Sequence, residues 1–450
     1  MNWERLRKKV IERTYPDEED FQEMQELFGR ISSYIEHKHG LEVHFAGSAS
    51  RKTCMKGDKD LDMFLMFPED TSRKELEEKG ISVGKDIFNQ FDSEYHVEYA
   101  EHPYTKGHIE GTEVEVVPCY DIPADQIKSS VDRTPHHSKW SQKNLGEEQR
   151  RDVVVLKKFL SAKELYGSSL KVKGFSGYLC EILIHEYGSF RNLIEEASNW
   201  PEQKILDPES HHENGLPEEL QEKFSEDNLV VVDPVDPERN VSAVLNTENY
   251  TRFIYEAVNF LDDMGMHHFE KEESEYTQLQ IKNELDGRNH LTVIEFNSVD
   301  QVDDIVYPQI RKAVRRIEQL LEGNDFTVYA SGFHVNDKTR IYFETEEKLS
   351  ELRELKGPKL FHGKDHVRQF KQKYDNTYVK NDRLCAKTER DYLRPKQIIQ
   401  DLSDDPQELK KDGIPEAVAQ KMSARNYVDP LLDNQKWLNF LGEELHVNKQ

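Results

Sequence analysis

The fold of this chain is decided by the stretch Ala46-Gly47-Ser48-Ala49-Ser50-Arg51, followed by Gly57-Asp58-Lys59-Asp60-Leu61-Asp62 and then Met63-Phe64-Leu65-Met66-Phe67. A turn of small residues leads into a strand that carries two carboxylates and ends in apolar side chains. Side chains two residues apart in a strand point to the same face, so Asp60 and Asp62 project side by side. Two carboxylates this close repel each other unless a cation lies between them. The spacing therefore predicts a Mg²⁺ site, because Mg²⁺ prefers carboxylates together with substrate phosphates.

The composition is that of a folded protein with several domains. A chain of 450 residues is too long for one core, so three or four domains are expected. The net charge of −26 argues against a protein that coats nucleic acid, yet it leaves room for a local basic groove. It fits a salt-adapted or simply very soluble cytosolic protein.

Several absences in the sequence indicate a cytoplasmic location. The N-terminus has no apolar segment typical of a signal peptide, and the apolar runs are too short to span a bilayer. We therefore expect no association with a membrane. The four cysteines lie far apart and form no C-x-x-C pair, which argues against a zinc knuckle or a disulfide framework.

The order of predicted elements indicates an α+β protein. Amphipathic helices over 2–13 and 18–38 begin a β-α-β-α-β-β-β pattern, which predicts a mixed sheet with helices packed on it. From 132 to about 187 the chain is predicted to be helical. The β-α-β-β order over 290–344 resembles half of a ferredoxin-like or RNA-recognition (RRM) fold. From 356 onward we expect a tail of helix and loop.

The Gly47-Ser48 turn is a candidate phosphate site. It lies between a strand and a predicted helix start, where backbone N–H groups and the Ser48 hydroxyl form a ready cradle for phosphate. Arg51 lies one turn further along and can reach the same phosphates. Such a turn is more often only a helix cap. The carboxylate strand that follows it favours the phosphate interpretation.

A third carboxylate is predicted from the strand Glu113-Val114-Glu115-Val116-Val117-Pro118-Cys119-Tyr120. Two cations about 3.5–4 Å apart share ligands, so a site for two metal ions usually needs a third acidic side chain from a neighbouring strand. Glu113 and Glu115 lie on the same face of this strand. The alternative is an ordinary exposed polar face. Because the chain becomes apolar directly after Glu115, we expect Glu115 to be the better placed of the two.

Two basic stretches stand out against the acidic background. Residues 126–174 contain eleven Lys and Arg against five Asp and Glu, and residues 356–399 contain twelve against five, interleaved with aromatic residues. Basic and aromatic side chains together bind phosphate backbones and stack on unpaired bases. Either stretch alone is more often a solvated helix face, but the pair favours nucleic-acid binding. For one of His136 and His137 we expect a triphosphate or base contact, since adjacent residues rarely converge on one metal ion.

Six motifs together resemble the archaeal (class I) CCA-adding enzymes, which are tRNA nucleotidyltransferases of the polymerase-beta-like superfamily. They are Gly47-Ser48-x-x-Arg51, Asp60-x-Asp62, Val116-Val117-Pro118-Cys119-Tyr120, Val131-Asp132-Arg133-Thr134-Pro135-His136-His137, Gly174-Phe175-Ser176-Gly177-Tyr178-Leu179-Cys180-Glu181 and Val232-Asp233-Pro234-Val235-Asp236-x-x-Arg239-Asn240. The resemblance covers nearly the whole chain. It implies template-independent addition of C, C and A to the 3′ end of tRNA from CTP and ATP, with release of pyrophosphate, in one active site and usually by a homodimer.

The resemblance also implies roles for individual residues. It implies that Asp60, Asp62 and Glu115 are the catalytic residues and hold two Mg²⁺ ions. The third position is ordinarily Asp in the family, and Glu, one methylene longer, must retract to hold the same ion. Arg239 and Asn240 match a family segment that faces the nucleotide base. The nucleotide-binding residues as a whole are Gly47, Ser48, Arg51, His137, Lys157, Tyr166 and Arg239.

The resemblance further implies four domains. They are a nucleotidyltransferase palm over 1–140, a helical central domain like that of poly(A) polymerase over 141–258, a body with the RRM-like unit over 259–355, and over 356–450 a helical tRNA-binding tail whose last helices return to the body. The acceptor end of tRNA would lie over the basic helices near 126–174. Two alternatives stay open: a poly(A) polymerase or oligoadenylate synthetase-like enzyme, and a tRNA-binding homologue whose metal site is weakened through Glu115.

Overall fold

A computed structural model, which describes residues 2–99, 101–271 and 275–447, places the carboxylate strand in a five-stranded sheet of order β1-β2-β5-β4-β3. β2 and β5 pair in parallel, whereas the other neighbours pair antiparallel. The predicted mixed sheet is therefore confirmed. Its strands are β1 (Glu42–Phe45), β2 (Asp60–Phe67), β3 (Tyr95–Tyr99), β4 (Pro103–Ile109) and β5 (Thr112–Tyr120).

One face of this sheet is apolar and carries helices. Leu61 and Met63 of β2 are fully buried, as are Val114 and Val116 of β5, and all four belong to one core. Because strand side chains alternate, the acidic residues between them lie on the other face. The helices before and within the sheet are α1 (Trp3–Thr14), α2 (Glu18–His39), α3 (Gly47–Ser50) and α4 (Arg73–Gln90).

A helical region with three short strands follows. Its core is formed mainly by α6, α7, α8 and α10, and it also takes in α1, where Trp3 stacks on Phe190 with ring centroids 5.3 Å apart. The domain boundary expected at residue 140 stays a prediction. The elements are α5 (Arg133–Asn144), α6 (Glu147–Ala162), α7 (Gly177–Tyr187), α8 (Phe190–Ala197), β6 (Lys204–Leu206), α9 (Glu218–Lys223), β7 (Leu229–Asp233), β8 (Asp236–Asn240) and α10 (Thr247–Asp262).

The chain divides into two compact units, Met1–Glu272 and Glu273–Gln450. The second unit contains the predicted β-α-β-β order, in a four-stranded antiparallel sheet β10-β11-β9-β15. The last two strands of that β-α-β-β order form a hairpin, since Val335 pairs with Thr339 across its turn. The elements of this part are α11 (Gln278–Asp286), β9 (His290–Asn297), α12 (Asp303–Gly323), β10 (Val328–Val335), β11 (Lys338–Thr345), β15 (Asn426–Val428) and α17 (Gln435–Glu444).

The tail differs from the expectation of helix and loop, because it also contains a three-stranded antiparallel sheet β12-β14-β13. The apolar runs at Tyr378-Val379 and Leu384-Cys385-Ala386 are too short to show a clear period, so their pairing was not predicted. No described helix is long and apolar enough to cross a membrane. The elements are β12 (Leu352–Lys359), α13 (Lys364–Lys373), β13 (Thr377–Lys380), β14 (Arg383–Glu389), α14 (Pro395–Asp401), α15 (Pro406–Lys411) and α16 (Glu416–Met422).

Candidate active site

Four carboxylates lie side by side where β2 and β5 begin. The parallel register pairs Asp60 with Glu113 and Asp62 with Glu115. All four project from the sheet face opposite the apolar core. The sequence predicted that Asp60 and Asp62 share a face and that β5 supplies acidic side chains, and the register adds which residues stand opposite each other.

A lysine that was not predicted from the sequence occupies this cluster. Lys106 of β4 stands opposite Glu115, and its Nζ lies 2.7 Å from Glu113 Oε1 and 2.8 Å from Glu115 Oε1. One ammonium group therefore offsets only part of the charge of the two β5 glutamates. Within the described part of the chain, Asp60 and Asp62 on β2 form no ion pair with a Lys, Arg or His side chain.

The charge on the aspartates is poorly compensated. Burial and, after it, the negative charge of Glu115 together raise the pKa of Asp62 to about 6, while the positive charge of Arg51 opposes the shift. Burial and the charge of Glu113 likewise raise the pKa of Asp60 above its usual value. Raised carboxyl pKa values show that added negative charge is unfavourable here. A cation bound between these groups would relieve that cost.

The Gly47 turn packs directly against Asp62. Gly47 has a φ of +71°, and a Cβ atom added there would lie 1.7 Å from Oδ2 of Asp62. The backbone N–H of Ala46 also donates to the carbonyl of Asp62 over 2.9 Å. Only glycine satisfies both the positive φ and the close approach. The small-residue turn and the carboxylate strand therefore form one structural unit.

The donor set of the site fits a divalent cation of the Mg²⁺ type. Its oxygens are carboxylates, which Mg²⁺ prefers, and their charge is not balanced by lysine or arginine alone. Within the described part of the chain, no three His, Cys, Asp or Glu side chains are already placed to hold a metal ion. Glu115 instead contacts the Lys106 ammonium group at 2.8 Å.

Glu181 is the centre of a buried ionic network behind the turn. Its carboxylate is fully buried and accepts from the Arg51 Nε at 2.9 and 2.8 Å, and from the hydroxyls of Thr53 at 2.6 Å and Ser141 at 2.7 Å. Burial opposes the charged form, but Arg51, Lys157 and these hydroxyls more than offset it and lower the pKa of Glu181. Arg51 is thus held by the protein interior, where its charge still stabilises ionised Asp62.

Thr53 joins the predicted nucleotide-binding residues to one another. Its backbone N–H donates to the carbonyl of Ser48 over 2.9 Å, and its own carbonyl accepts from Lys157 Nζ over 2.7 Å. Lys157 is almost fully buried, and burial lowers its pKa. The same Nζ lies 5.8 Å from the centre of the Tyr166 ring. The structure therefore brings Ser48, Arg51, Lys157 and Tyr166 together around one segment.

The two remaining predicted nucleotide contacts meet on a different carboxylate. His137 Nε2 lies 2.9 Å from Asp233 Oδ2, and the Arg239 Nη1 lies 2.6 Å from the same oxygen. His136 instead contacts the carbonyl of Ile122. The adjacent histidines therefore have different partners, as expected of residues that do not share an ion.

Asn240 has a structural role in this fold. It is buried, and its carboxamide oxygen accepts from the backbone N–H groups of Val231 and Ser242, while its amide donates to Asp227 and to the carbonyl of Leu229. These contacts hold β7 and β8 together.

The partners Lys106, Glu181 and Asp233 were not predicted as site residues. Glu181 did have a signal in the sequence, since a charge inside the apolar run of α7 requires a partner.

Comparison with known proteins identifies three matching domains. Residues 26–137 match a nucleotidyltransferase domain, residues 151–270 the second domain of tRNA nucleotidyltransferase, and residues 288–425 the C-terminal domain of the CCA-adding enzyme. These matches cover most of both compact units.

Curated relatives are similar over almost the whole chain. The chain is 34% identical to a CCA-adding enzyme of Methanocaldococcus jannaschii over 99% of its own length and 98% of the relative's. It is also 34% identical to those of Thermococcus gammatolerans, over 99% of both chains, and Archaeoglobus fulgidus, over 89% of both. A solved structure of the Cid1 poly(U) polymerase aligns with 60% of this chain and 98% of its own at 11% identity, with a TM-score of 0.48, a likeness that concerns the fold alone.

Replacing Asp62 by Asn is expected to stabilise the metal-free protein. Ionisation of Asp62 destabilises the folded protein, because its folded-state pKa of about 6 exceeds the usual value of 3.8. This loss of stability is absent below about pH 4 and complete above about pH 6. Its size is about 1–3 kcal/mol, or roughly 2–8 °C in melting temperature. Thermal unfolding in EDTA should show Asp62→Asn melting higher than wild type at pH 8, with the difference vanishing near pH 4.

The control for this measurement is Asp70→Asn, which removes an exposed carboxylate from the loop after β2. It should leave the melting temperature unchanged at both pH values. An Asp62→Asn protein that melts no higher than wild type at pH 8 contradicts the electrostatic description of the site.

Gly47→Ala is expected to abolish most activity in a protein that still folds. The added methyl group collides with Asp62, and a displacement of about 1 Å in an active site commonly costs about a hundredfold in rate. Gly57→Ala is the matched control, because Gly57 also has a positive φ, +96°, yet no atom lies within 4 Å of an added Cβ. Activity is measured together with circular dichroism for both variants. An equal loss of activity in the two would show that backbone strain, and not the collision, is responsible.

Proposed function

The chain belongs to the CCA-adding enzyme family, and on that premise we propose that it completes the 3′ end of tRNA at the carboxylate cluster of β2 and β5. It is a tRNA nucleotidyltransferase that adds C, C and A without a template, from CTP and ATP. The observation that supports this location most directly is the parallel register of β2 and β5, which sets Asp60 and Asp62 beside Glu113 and Glu115.

Asp60, Asp62 and Glu115 are proposed as the catalytic and metal-binding residues. Two Mg²⁺ ions bound there supply the usual chemistry of nucleotidyl transfer, a lowered pKa at the attacking 3′-hydroxyl and compensation of charge on the departing pyrophosphate. Asp60 and Asp62 provide oxygens that have little competing positive charge. Glu115 would provide the third carboxylate, which requires that it release Lys106 and retract its longer side chain.

The nucleotide is proposed to bind between the Gly47 turn and the buried network behind it. Ser48 offers its hydroxyl and the start of α3 to the triphosphate. Arg51 and Lys157 supply positive charge from fixed positions, which stabilises phosphoryl oxygens without reorganisation during the reaction. His137, Tyr166 and Arg239 are proposed as the contacts to the rest of the nucleotide.

The tRNA is proposed to lie along the two basic stretches. On α5 the side chains of Lys139 and Lys143 are exposed, close in sequence to His137. In the tail the ring of Phe361 is 85% exposed among basic residues, which suits stacking on an unpaired base. A homodimer, a cytoplasmic location and a count of two metal ions are parts of this proposal.

The function is tested by incorporation of labelled nucleotides into tRNA that lacks its last three residues, with CTP alone, ATP alone and both. We expect addition of two residues with CTP and completion only with both nucleotides. Long tails from ATP alone would indicate a poly(A) polymerase, and 2′-5′ products an oligoadenylate synthetase. Binding of tRNA without incorporation would indicate a homologue whose metal site is weakened through Glu115.

Lys106→Met is expected to lower the Mg²⁺ concentration that gives half-maximal incorporation, by about threefold to tenfold. The ammonium group competes with the cation for Glu115, whose side chain and that of Lys106 are 25% and 21% exposed. Loss of one close charge pair at such a site corresponds to roughly 1 kcal/mol. Lys74→Met is the matched control, since Lys74 is exposed on α4 and pairs with Glu78 at 3.7 Å. A higher Mg²⁺ requirement in Lys106→Met would contradict the proposed exchange.

A further inference from the structure

Asp233 is a fully buried carboxylate at the end of β7. Its Oδ2 is the shared acceptor for His137 of α5 and Arg239 of β8, at 2.9 and 2.6 Å. Its Oδ1 accepts from the backbone N–H of Val235 over 3.0 Å. Three donors, one from α5 and two from the β7–β8 hairpin, therefore converge on one carboxylate.

The two side chains that Asp233 holds are much less buried than Asp233 itself. The side chains of His137 and Arg239 are 13% and 36% exposed, against 0% for the carboxylate. Arg239 also lines a cavity of about 400 Å³ together with Arg133 and Asp236. An arginine and a histidine that are anchored from the interior but reach the surface are suited to orienting a ligand.

The orientation of His137 is fixed from two directions. A carboxylate acceptor at Nε2 places the proton of the neutral ring on that nitrogen. The ring also stacks on Tyr178, with centroids 3.9 Å apart and planes inclined by 22°. His137 therefore has neither a free choice of tautomer nor freedom to rotate while Asp233 remains ionised. Burial opposes the charged form of Asp233, but His137, the Val235 N–H and Arg239 lower its pKa overall.

We propose that Asp233 is a positioning residue for nucleotide binding, which aligns Arg239 and His137 as one unit toward the incoming nucleotide. The inference rests on the proposed function and goes beyond it, because Asp233 itself contacts no substrate. An amide in its place has one acceptor oxygen and cannot receive all three donors. Asp233→Asn therefore releases Arg239, His137 or both.

The expected effect is on nucleotide binding in particular. Orienting partners of this kind typically change affinity or activity by about 10- to 100-fold. In steady-state incorporation, Asp233→Asn should raise the KM for CTP by such a factor, while the KM for tRNA stays within about twofold. A merely structural role would lower the amount of active enzyme and leave both KM values unchanged.

A double-mutant cycle with Arg239→Gln decides whether Asp233 acts through Arg239. If it does, Asp233→Asn combined with Arg239→Gln loses little more kcat/KM for CTP than Arg239→Gln alone. Independent effects that multiply would overturn the proposal, as would an Asp233→Asn enzyme whose KM for CTP is within twofold of wild type.

Asp152→Asn is the matched control for loss of a buried ion pair. Asp152 is 4% exposed and accepts from Arg7 Nε over 2.5 Å and from the backbone N–H of Phe190 over 3.0 Å. It thus resembles Asp233 in chemistry but belongs to the helical core. We expect a lower melting temperature with an unchanged KM for CTP. The same KM increase in Asp152→Asn and Asp233→Asn would show a general effect of destabilisation.

If Asp233→Asn does not fold, a second double-mutant cycle tests the inference without changing Asp233. His137→Gln and Arg239→Gln are expected to be coupled in the KM for CTP, because both depend on one carboxylate, and additive effects would overturn the inference. A wild-type protein that incorporates no nucleotide ends the proposed function. An active wild type with additive cycles ends only the role of Asp233.

Discussion

The parallel pairing of β2 with β5 is the constraint on which the rest of the site depends. It sets Asp60 beside Glu113 and Asp62 beside Glu115, on the sheet face opposite the core that contains Leu61 and Met63. Folding therefore gathers negative charge that the chain by itself compensates only in part, through Lys106. This repulsion destabilises the metal-free protein, and a cation bound between the carboxylates would relieve it.

The site also depends on a second group of charges, the buried ionic network around Glu181. The pair between Arg51 and Glu181 lies in the interior, with hydroxyls of Thr53 and Ser141 completing the shell of the carboxylate. Removing one partner of such a pair typically costs about 3–5 kcal/mol, because the other charge is left buried and uncompensated. The network therefore couples the stability of α7 to the position of the turn. Positive charge is fixed behind the place where phosphates are proposed to bind.

Much of the fold could be predicted because its signals are local. The turn of small residues, the alternation in β2 and β5 and the β-α-β-β unit can be identified over a few residues each. The tail sheet has no comparable signal, since its strands are short and its pairing is set by tertiary context. In the site, the acidic residues were predicted by type and spacing. Their partners Lys106, Glu181 and Asp233 come from other segments of the chain, and only the tertiary structure shows those contacts.

The site contains three carboxylates, the buried positive side chains of Arg51 and Lys157, and the unit of His137, Asp233 and Arg239. The protein holds these charged groups in place before the nucleotide binds. The central proposal is that Glu115 gives up its contact with Lys106 when it binds a metal ion. A crystal structure with Mn²⁺ and a non-hydrolysable CTP analogue tests it most directly, through anomalous scattering. The account predicts a metal ion bound by Asp60, Asp62 and Glu115, with the contact between Glu115 and Lys106 broken. A bound metal ion with that contact intact would contradict it.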